Sequence, residues 1–405
     1  MNFHQHNFTA MASPCKFLLQ GEQALLQQAC LQAQAEVQRI EQKFSRYRET
    51  SLLQTINKNA GIKSTKIDRE TAALLNYADL CHQQSDGLFD ISSGILRQVW
   101  NFKSNILPNE DKIQRLLPLI NWPSIQWDQD EIYLPQENME IDFGGFGKEY
   151  AADKAAEIFQ SMGIKHGLVD LGGDIRIIGD KADESGWKIG IRNPQQPEQA
   201  ISHMTLHQGA MATSGNYERF MNVNGRHYCH IMKANSGWPV NYWASVTILA
   251  PQCLVAGSLA TLTMLAEQAG LGWLQEQDVP FLSIDINGFD CTNSFDNSGK
   301  HNFPFCRVSF TGNNLQHSCR ARLVLTRFSF LIFLLKEIPS SFGRSISVII
   351  TSGCTSENVF SAFSALCEII TFLKKILNIS ISFCVIFDSF EISNSFRLFK
   401  ISFNG

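Results

Sequence analysis

The sequence predicts an α+β protein built from mixed, largely antiparallel sheets flanked by helices, followed by a C-terminal tail unlike the rest. Three observations predict it. Helical spacings dominate the chain up to residue 84, whereas strands and turns dominate after residue 163. Between them lies Ile141-Asp-Phe-Gly-Gly-Phe-Gly-Lys-Glu-Tyr-Ala-Ala-Asp153, where an apolar strand passes through three glycines into a helix. Finally, composition changes abruptly near residue 289: all seven Trp and all seven Tyr lie before residue 274, yet 18 of the 29 Phe lie after 288.

Taken in order, residues 8–20 read as a short strand. Residues 22–43 form a helix rich in Ala, Gln and Leu, with apolar positions three and four apart. Residues 51–59 make a second helix, ended at Ala60-Gly61, and residues 68–84 a third with Asp68 as its N-cap. Ser85-Asp-Gly-Leu-Phe-Asp90 is a glycine turn carrying two carboxylates. The stretch from Trp100 to Trp127 is irregular; strands follow at 131–134 and 139–143, then a helix at 150–162. A second glycine turn sits in Leu168-Val-Asp-Leu-Gly-Gly-Asp-Ile-Arg176. Residues 187–194 alternate faces and stop at Pro194, 204–207 continue the sheet, and 209–215 run into a Ser-Gly turn. Residues 244–250 are apolar and β-branched, 255–269 form a helix of small residues, and 273–279 with 281–286 make a last helix–strand pair.

Of the 405 residues, 44% are hydrophobic and 18% charged, ordinary for a globular protein. A net charge of −4 points to no nucleic-acid or anionic-membrane partner. No apolar run approaches the roughly 18 to 20 residues that span a bilayer. The N-terminus has neither a basic start nor a long apolar core, so no secretory signal is read and a cytoplasmic location is expected. The eleven cysteines are scattered without the close pairs of a metal knuckle and read as reduced thiols. The domain boundary falls between a functional region, 1–288, and a Phe/Ser-rich tail, 289–405. The tail reads either as a separate, poorly ordered extension or as a segment never selected for folding, such as one translated past a frame disruption. Its lack of turn punctuation favours the second.

The glycines of the central stretch let backbone approach a ligand, and the helix that follows presents unpaired N–H groups and a positive dipole end, both suited to phosphate. Lys148 adds a cation there. On physics alone this is either a nucleotide or phosphate site, or two tight turns in an α/β framework. Neither turn spells the dinucleotide fingerprint or a P-loop. Further signatures are Asp86-Gly-Leu-Phe-Asp90, Gly209-Ala-Met-Ala-Thr-Ser-Gly-Asn-Tyr217, His230-Ile231 followed by Ser236-Gly-Trp-Pro239, and Ala256-Gly-Ser-Leu-Ala-Thr261. Together these six blocks, in this order, resemble the ApbE family of FAD:protein FMN transferases, over roughly residues 8–288.

The resemblance implies cleavage of the FAD pyrophosphate, transfer of FMN to a threonine hydroxyl of an acceptor protein, and departure of AMP, with Mg2+ as the metal. It places Met11 and Tyr47 on the flavin, Leu88, Phe89 and Asp90 in a loop against FAD, Asp142 and Lys148 on FAD at the glycine stretch, and Ile231 in the pocket lining. It makes His230 the general base. It assigns the metal to the Gly145 carbonyl, the Thr261 hydroxyl and position 257. Taken singly, each residue has a plainer reading: core packing for Met11 and Tyr47, turn capping for Asp90, a solvated helix cation for Lys148, a structural imidazole for His230. Two departures stand out. Many family members carry Asp where this chain has Gly257, which removes a metal-binding carboxylate. Lys233-Ala234 replaces an Asp-Pro or Asn-Pro pair, setting a cation near the phosphates and loosening a turn. Two rival functions follow: an FAD-binding carrier that has lost transfer, or a metal-dependent pyrophosphatase that splits FAD with water.

Overall fold

The computed structural model describes residues 3–277, 279–293, 306–309, 390–393 and 396–398. The chain divides into two units, Met1–Val324 and Leu325–Gly405.

The first unit opens with a hairpin of β1 (Phe3–Ala10) and β2 (Ser13–Gln20), paired from Phe3↔Gln20 to Ala10↔Ser13. Met11 and Ala12 alone connect the strands, both at positive φ, +51° and +57°. A two-residue hairpin needs that backbone to match strand twist, and Gly or Asn usually supplies it. Neither residue type signals a turn, so a sequence reading runs 8–20 together as one strand. Next come α1 (Gln23–Phe44) and α2 (Leu52–Lys58); α1 buries Leu26, Ala29, Cys30, Ala33, Val37 and Ile40, a stripe at helical spacing. After β3 (Thr65–Lys66), Asp68 caps α3 (Arg69–Gln84) as expected, accepting from the Thr71 N–H at 3.0 Å. The stretch read as irregular contains α4 (Glu110–Leu116), capped by Asn109. Then β4 (Gln126–Trp127) and β5 (Glu131–Tyr133) join β3 in a small antiparallel sheet.

Residues 139–143, expected as a strand, join no sheet. A side chain takes the partner's place: Ile141 N–H donates to Asn57 Oδ1 at 2.9 Å, and Asn57 Nδ2 donates to the Ile141 carbonyl at 3.1 Å. Helix α5 (Gly147–Ser161) follows. Beyond it come β6 (His166–Leu171), β7 (Asp174–Gly179), β8 (Trp187–Arg192), β9 (Ala200–Leu206), β10 (Ala210–Gly215), β11 (Phe220–Val223), β12 (Arg226–Cys229) and β13 (Trp243–Ala250). Helices α6 (Cys253–Leu265) and α7 (Ala269–Glu276) precede β14 (Phe281–Asp285), β15 (Asp290–Asn293) and β16 (Cys306–Ser309).

Eight strands form the main sheet in the order β1-β2-β6-β7-β10-β13-β14-β15, every neighbouring pair antiparallel. Helix α6 packs on β10 and β13, and α5 on β7. Residues from β8 and β9 (Trp187, Ile189, Ile191, Met204, Leu206) share a buried cluster with Ile175, Ile177, Leu249 and Leu282 of the main sheet. Covered on both faces, β13 is buried along its whole length, Ser245 and Thr247 included, and carries no charged residue. Past the expected boundary at residue 288, β15 pairs with β14 and β16 pairs with β9. The rest of the expected tail lies outside the described residues, apart from a hairpin of β17 (Phe390–Ser393) and β18 (Phe396–Leu398) in the second unit. Among the described residues, no helix is long and apolar enough to cross a membrane.

Candidate functional site

Helices α5 and α6 carry the centre of the site, and one carboxylate sets their register. Asp153 of α5 accepts from the first two N–H groups of α6, Cys253 at 2.9 Å and Leu254 at 2.9 Å. It thereby caps that helix in place of Gln252, which offers no side-chain cap. Arg176 Nε reaches Asp153 Oδ1 at 3.1 Å. One turn earlier on α5 and one turn later on α6, Glu149 meets Gly257. A Cβ at Gly257 would lie 2.5 Å from both Cγ and Oε1 of Glu149, so this close approach requires glycine. Gly145 lies in the turn just before α5, and Thr261 one turn beyond Gly257 on α6. Thr261 Oγ1 lies 3.0 Å from Ser214 Oγ at the end of β10. Gly145 is covered by the ring of Phe89, whose Cε2 is 2.8 Å from the Cβ that the glycine lacks.

Three buried carboxylates meet in this region. Asp174 pairs with Lys148 Nζ at 2.9 Å, and Asp153 with Arg176. Glu149 is 9% exposed, and among the described residues its carboxylate has no cation within 4.0 Å. Burial, reinforced by Asp174, raises its pKa well above the usual carboxylate range. Lys148 also approaches the Gly172 carbonyl at 3.5 Å. Gly172, at φ +65°, turns β6 into β7 so closely against Ser13 that a Cβ there would lie 2.7 Å from the Ser13 Cβ. The Met11 turn, the second glycine turn and the start of α5 are thus neighbours.

His230 follows β12. Its backbone N–H and its Nδ1 both reach the Arg219 carbonyl, at 3.0 and 3.3 Å. A carbonyl only accepts, so Nδ1 carries the proton and Nε2 keeps its lone pair. Burial first, then the charges of Arg219, Lys148 and Arg46, push its pKa down to about 4. The imidazole is therefore neutral at pH 7 and faces a field of three cations. Arg46 is ion-paired with Asp142 and lies 5.1 Å over the Tyr47 ring. Asp142 also accepts from the Gly144 N–H at 3.1 Å.

The other expected residues are placed as follows. Met11 is half-buried, its N–H bonded to Glu41 at 3.0 Å, and Tyr47 is 74% exposed. Leu88 is half-buried in the turn after α3. Asp90 is buried and accepts from Ser92 N–H at 2.8 Å and Trp122 N–H at 3.1 Å. Ile231 follows His230 in a loop closed by the Met232↔Pro239 bridge and by Trp100 Nε1 donating to the Gly237 carbonyl at 2.8 Å. Lys233 turns toward Glu267 at 3.3 Å. With those bonds the loop is held despite lacking the family's proline at 234. Sequence reasoning missed Arg46, Arg219 and Glu149. Arg46 lies beside Tyr47, Arg219 just after the Ser-Gly turn, and Glu149 inside the glycine stretch itself, so position alone could have raised each of them.

A model of the ApbE family matches residues 11–282. An FAD:protein FMN transferase of Vibrio cholerae is 26% identical over 258 residues, covering 61% of this chain and 76% of that protein. One of Treponema pallidum is 30% identical over 247 residues, covering 56% of this chain and 67% of the other. The crystal structure of an ApbE protein from Thermotoga maritima superposes with a TM-score of 0.68 at 26% identity, covering 72% of this chain and 97% of that one.

Proposed function

The chain belongs to the ApbE family, and we propose from that premise that it is an FAD:protein FMN transferase. It would move FMN from FAD to a threonine hydroxyl of an acceptor protein and release AMP. The observation that carries this reading is His230: a neutral imidazole whose Nε2 has no hydrogen-bond partner among the described residues, in the field of Lys148, Arg46 and Arg219. A threonine hydroxyl is a weak nucleophile and needs a base to take its proton. The oxygen then bonds to the FMN-side phosphorus, the P–O bond to AMP breaks, and AMP carries away the electron pair. The cations oppose the charge that builds on the phosphoryl oxygens, so the protein's contribution is chiefly position and electrostatics.

The residues present also suit a hard divalent cation. The Gly145 carbonyl and the Thr261 hydroxyl are oxygen donors of the kind Mg2+ takes; one precedes α5, the other lies on α6 one turn beyond Gly257, where the buried Glu149 carboxylate has no cation within 4.0 Å among the described residues. These residues would hold Mg2+, which would supply positive charge to offset that of the pyrophosphate. Met11 and Tyr47 would pack on the flavin, and Leu88, Phe89, Asp142 and Ile231 would line the FAD pocket, Phe89 doing so while it covers Gly145.

The test uses the full chain with FAD, Mg2+ and a protein bearing a flavinylatable threonine, the acceptor being followed by mass spectrometry. The expected result is an FMN-sized mass gain that EDTA abolishes and His230→Ala reduces by about 100-fold or more. FAD bound and retained intact would overturn transfer in favour of a carrier. AMP released without a labelled acceptor would overturn it in favour of a pyrophosphatase.

A further inference from the structure

Gly257 removes a carboxylate from the metal position that the family resemblance assigns, yet the space beside it holds one. We propose that Glu149, from the opposite helix, supplies the metal-binding carboxylate in place of residue 257. This rests on the reading above that the site binds a divalent cation.

Three observations carry it. The first is position: both Cγ and Oε1 of Glu149 lie 2.5 Å from where a Cβ at 257 would stand. The Glu149 carboxylate therefore occupies the volume that a side chain at 257 would enter. The second is register. Asp153 is bonded to the N–H groups of Cys253 and Leu254, and one turn along both helices Glu149 of α5 meets Gly257 of α6. Glu149 is thus in the first turn of α5, just after the glycine turn that holds Gly145, and faces α6 one turn before Thr261, the two other proposed donors. The third is charge. Of the three buried acids here, Asp174 has Lys148 and Asp153 has Arg176, while Glu149 has no cation within 4.0 Å among the described residues. An acid that is 9% exposed and unpaired is costly unless a cation joins it. A carbonyl, a hydroxyl and a carboxylate together make the hard oxygen set that Mg2+ or Mn2+ accepts.

The same geometry explains why an acid cannot simply be added at 257. Gly257→Asp alone drives its Cβ into Glu149 and sets two carboxylates against each other. Moving the carboxylate back across the interface requires both changes at once.

The experiment measures Mn2+ binding to the full chain by EPR in the presence of FAD. Four proteins are compared: the unaltered chain, Glu149→Gln, Gly257→Asp, and the exchange Glu149→Gly with Gly257→Asp. Metal-free FAD binding by flavin fluorescence and thermal unfolding are recorded for each. The expected result is a loss of Mn2+ affinity of about tenfold or more in Glu149→Gln, with metal-free FAD binding and unfolding temperature held. The exchange variant regains most of that affinity, and Gly257→Asp alone unfolds at a lower temperature. Glu149→Gln keeping its Mn2+ affinity within about twofold, or an exchange variant no better than Glu149→Gln, would overturn the assignment while leaving a metal-dependent transferase intact. An unaltered chain that binds FAD but no Mn2+ would overturn the metal reading, and this inference with it.

Discussion

His230 shows how much a residue's chemistry depends on neighbours that its motif does not contain. The His-Ile pair is visible in the sequence, but its basicity is set by burial and by Arg219, Lys148 and Arg46, which come from three other segments. Because the folded pKa is depressed to about 4, the base form is complete above pH 5 and is lost only as pH falls through about 4. A pH–rate profile for FMN transfer is therefore expected to stay flat through neutrality on its acid side. Arg219→Gln removes the charge that lowers the His230 pKa most while leaving the backbone carbonyl that orients Nδ1. It should move the acid limb upward, toward the ordinary histidine value of about 6.5, and an unmoved limb would mean that another group titrates. Arg46 and Arg219 were illegible as site residues for a physical reason: each acts at a distance fixed by the fold, and an isolated arginine in a polar loop looks like any surface cation. Glu149 was hidden differently. It lies inside the most conspicuous stretch of the chain, but its meaning depends on Gly257, more than a hundred residues away in sequence and one helix away in space.

At the level of elements, two charged contacts fix how the helices meet. Asp153 joins α5 to the start of α6, and only the folded register reveals that an acid in mid-helix is another helix's cap. Asp153→Ala should cost about 2 kcal/mol, from a lost cap and a stranded Arg176. It should also weaken Mn2+ binding, since the 149–257 contact lies one turn along the same interface; a stability loss with unchanged metal affinity would separate the two. The second contact is Glu70 at the start of α3, which accepts from Arg39 at 2.6 and 2.9 Å, Lys43 at 2.6 Å and Tyr150 at 2.9 Å, tying α1, α3 and α5 together. Burial by itself would raise the Glu70 pKa, but these bonds outweigh it and hold the pKa at about 2. The folded pKa lies below the unfolded one, so the stabilisation is present above the ordinary 4.5 and is lost as pH falls toward 2. Glu70→Gln should flatten the acid limb of a stability–pH curve across that window, and part of the effect should vanish in high salt, because the Arg39 side chain is 44% exposed. The helices themselves were legible, since apolar spacing and the Asp68 cap mark them. The strand expected at 139–143 was not recoverable: its residues have strand character, but an asparagine side chain, not a strand, meets their backbone.

For the whole molecule, the succession of helical and strand segments is legible in the chain's pattern, whereas strand pairing continues past residue 288, where the composition changes. Composition places a boundary at residue 288, because Trp, Tyr and Gln thin out and Phe and Ser take over. Hydrogen bonding ignores that change. Strand β15 pairs with β14 from Ile284↔Asp290 to Phe281↔Asn293, and β16 pairs with β9 from Cys306↔Leu206 to Ser309↔His203. A sheet edge needs a backbone partner more than any particular side chain, so composition is a poor guide to where a sheet stops. Ending the chain at Gly288 strips both strands and leaves β14 and β9 with unpaired N–H and C=O groups beside apolar cores. Ending it at Val324, the limit of the first unit, keeps them. The shorter chain should therefore unfold several degrees lower and aggregate at concentrations where the longer one stays monomeric, as scanning calorimetry and light scattering would show. FAD binding should persist in both, because the residues around Lys148, His230 and Thr261 all lie before the cut. Equal unfolding temperatures would mean that β15 and β16 add nothing to their two sheets, and that the change in composition marks the true end of the fold.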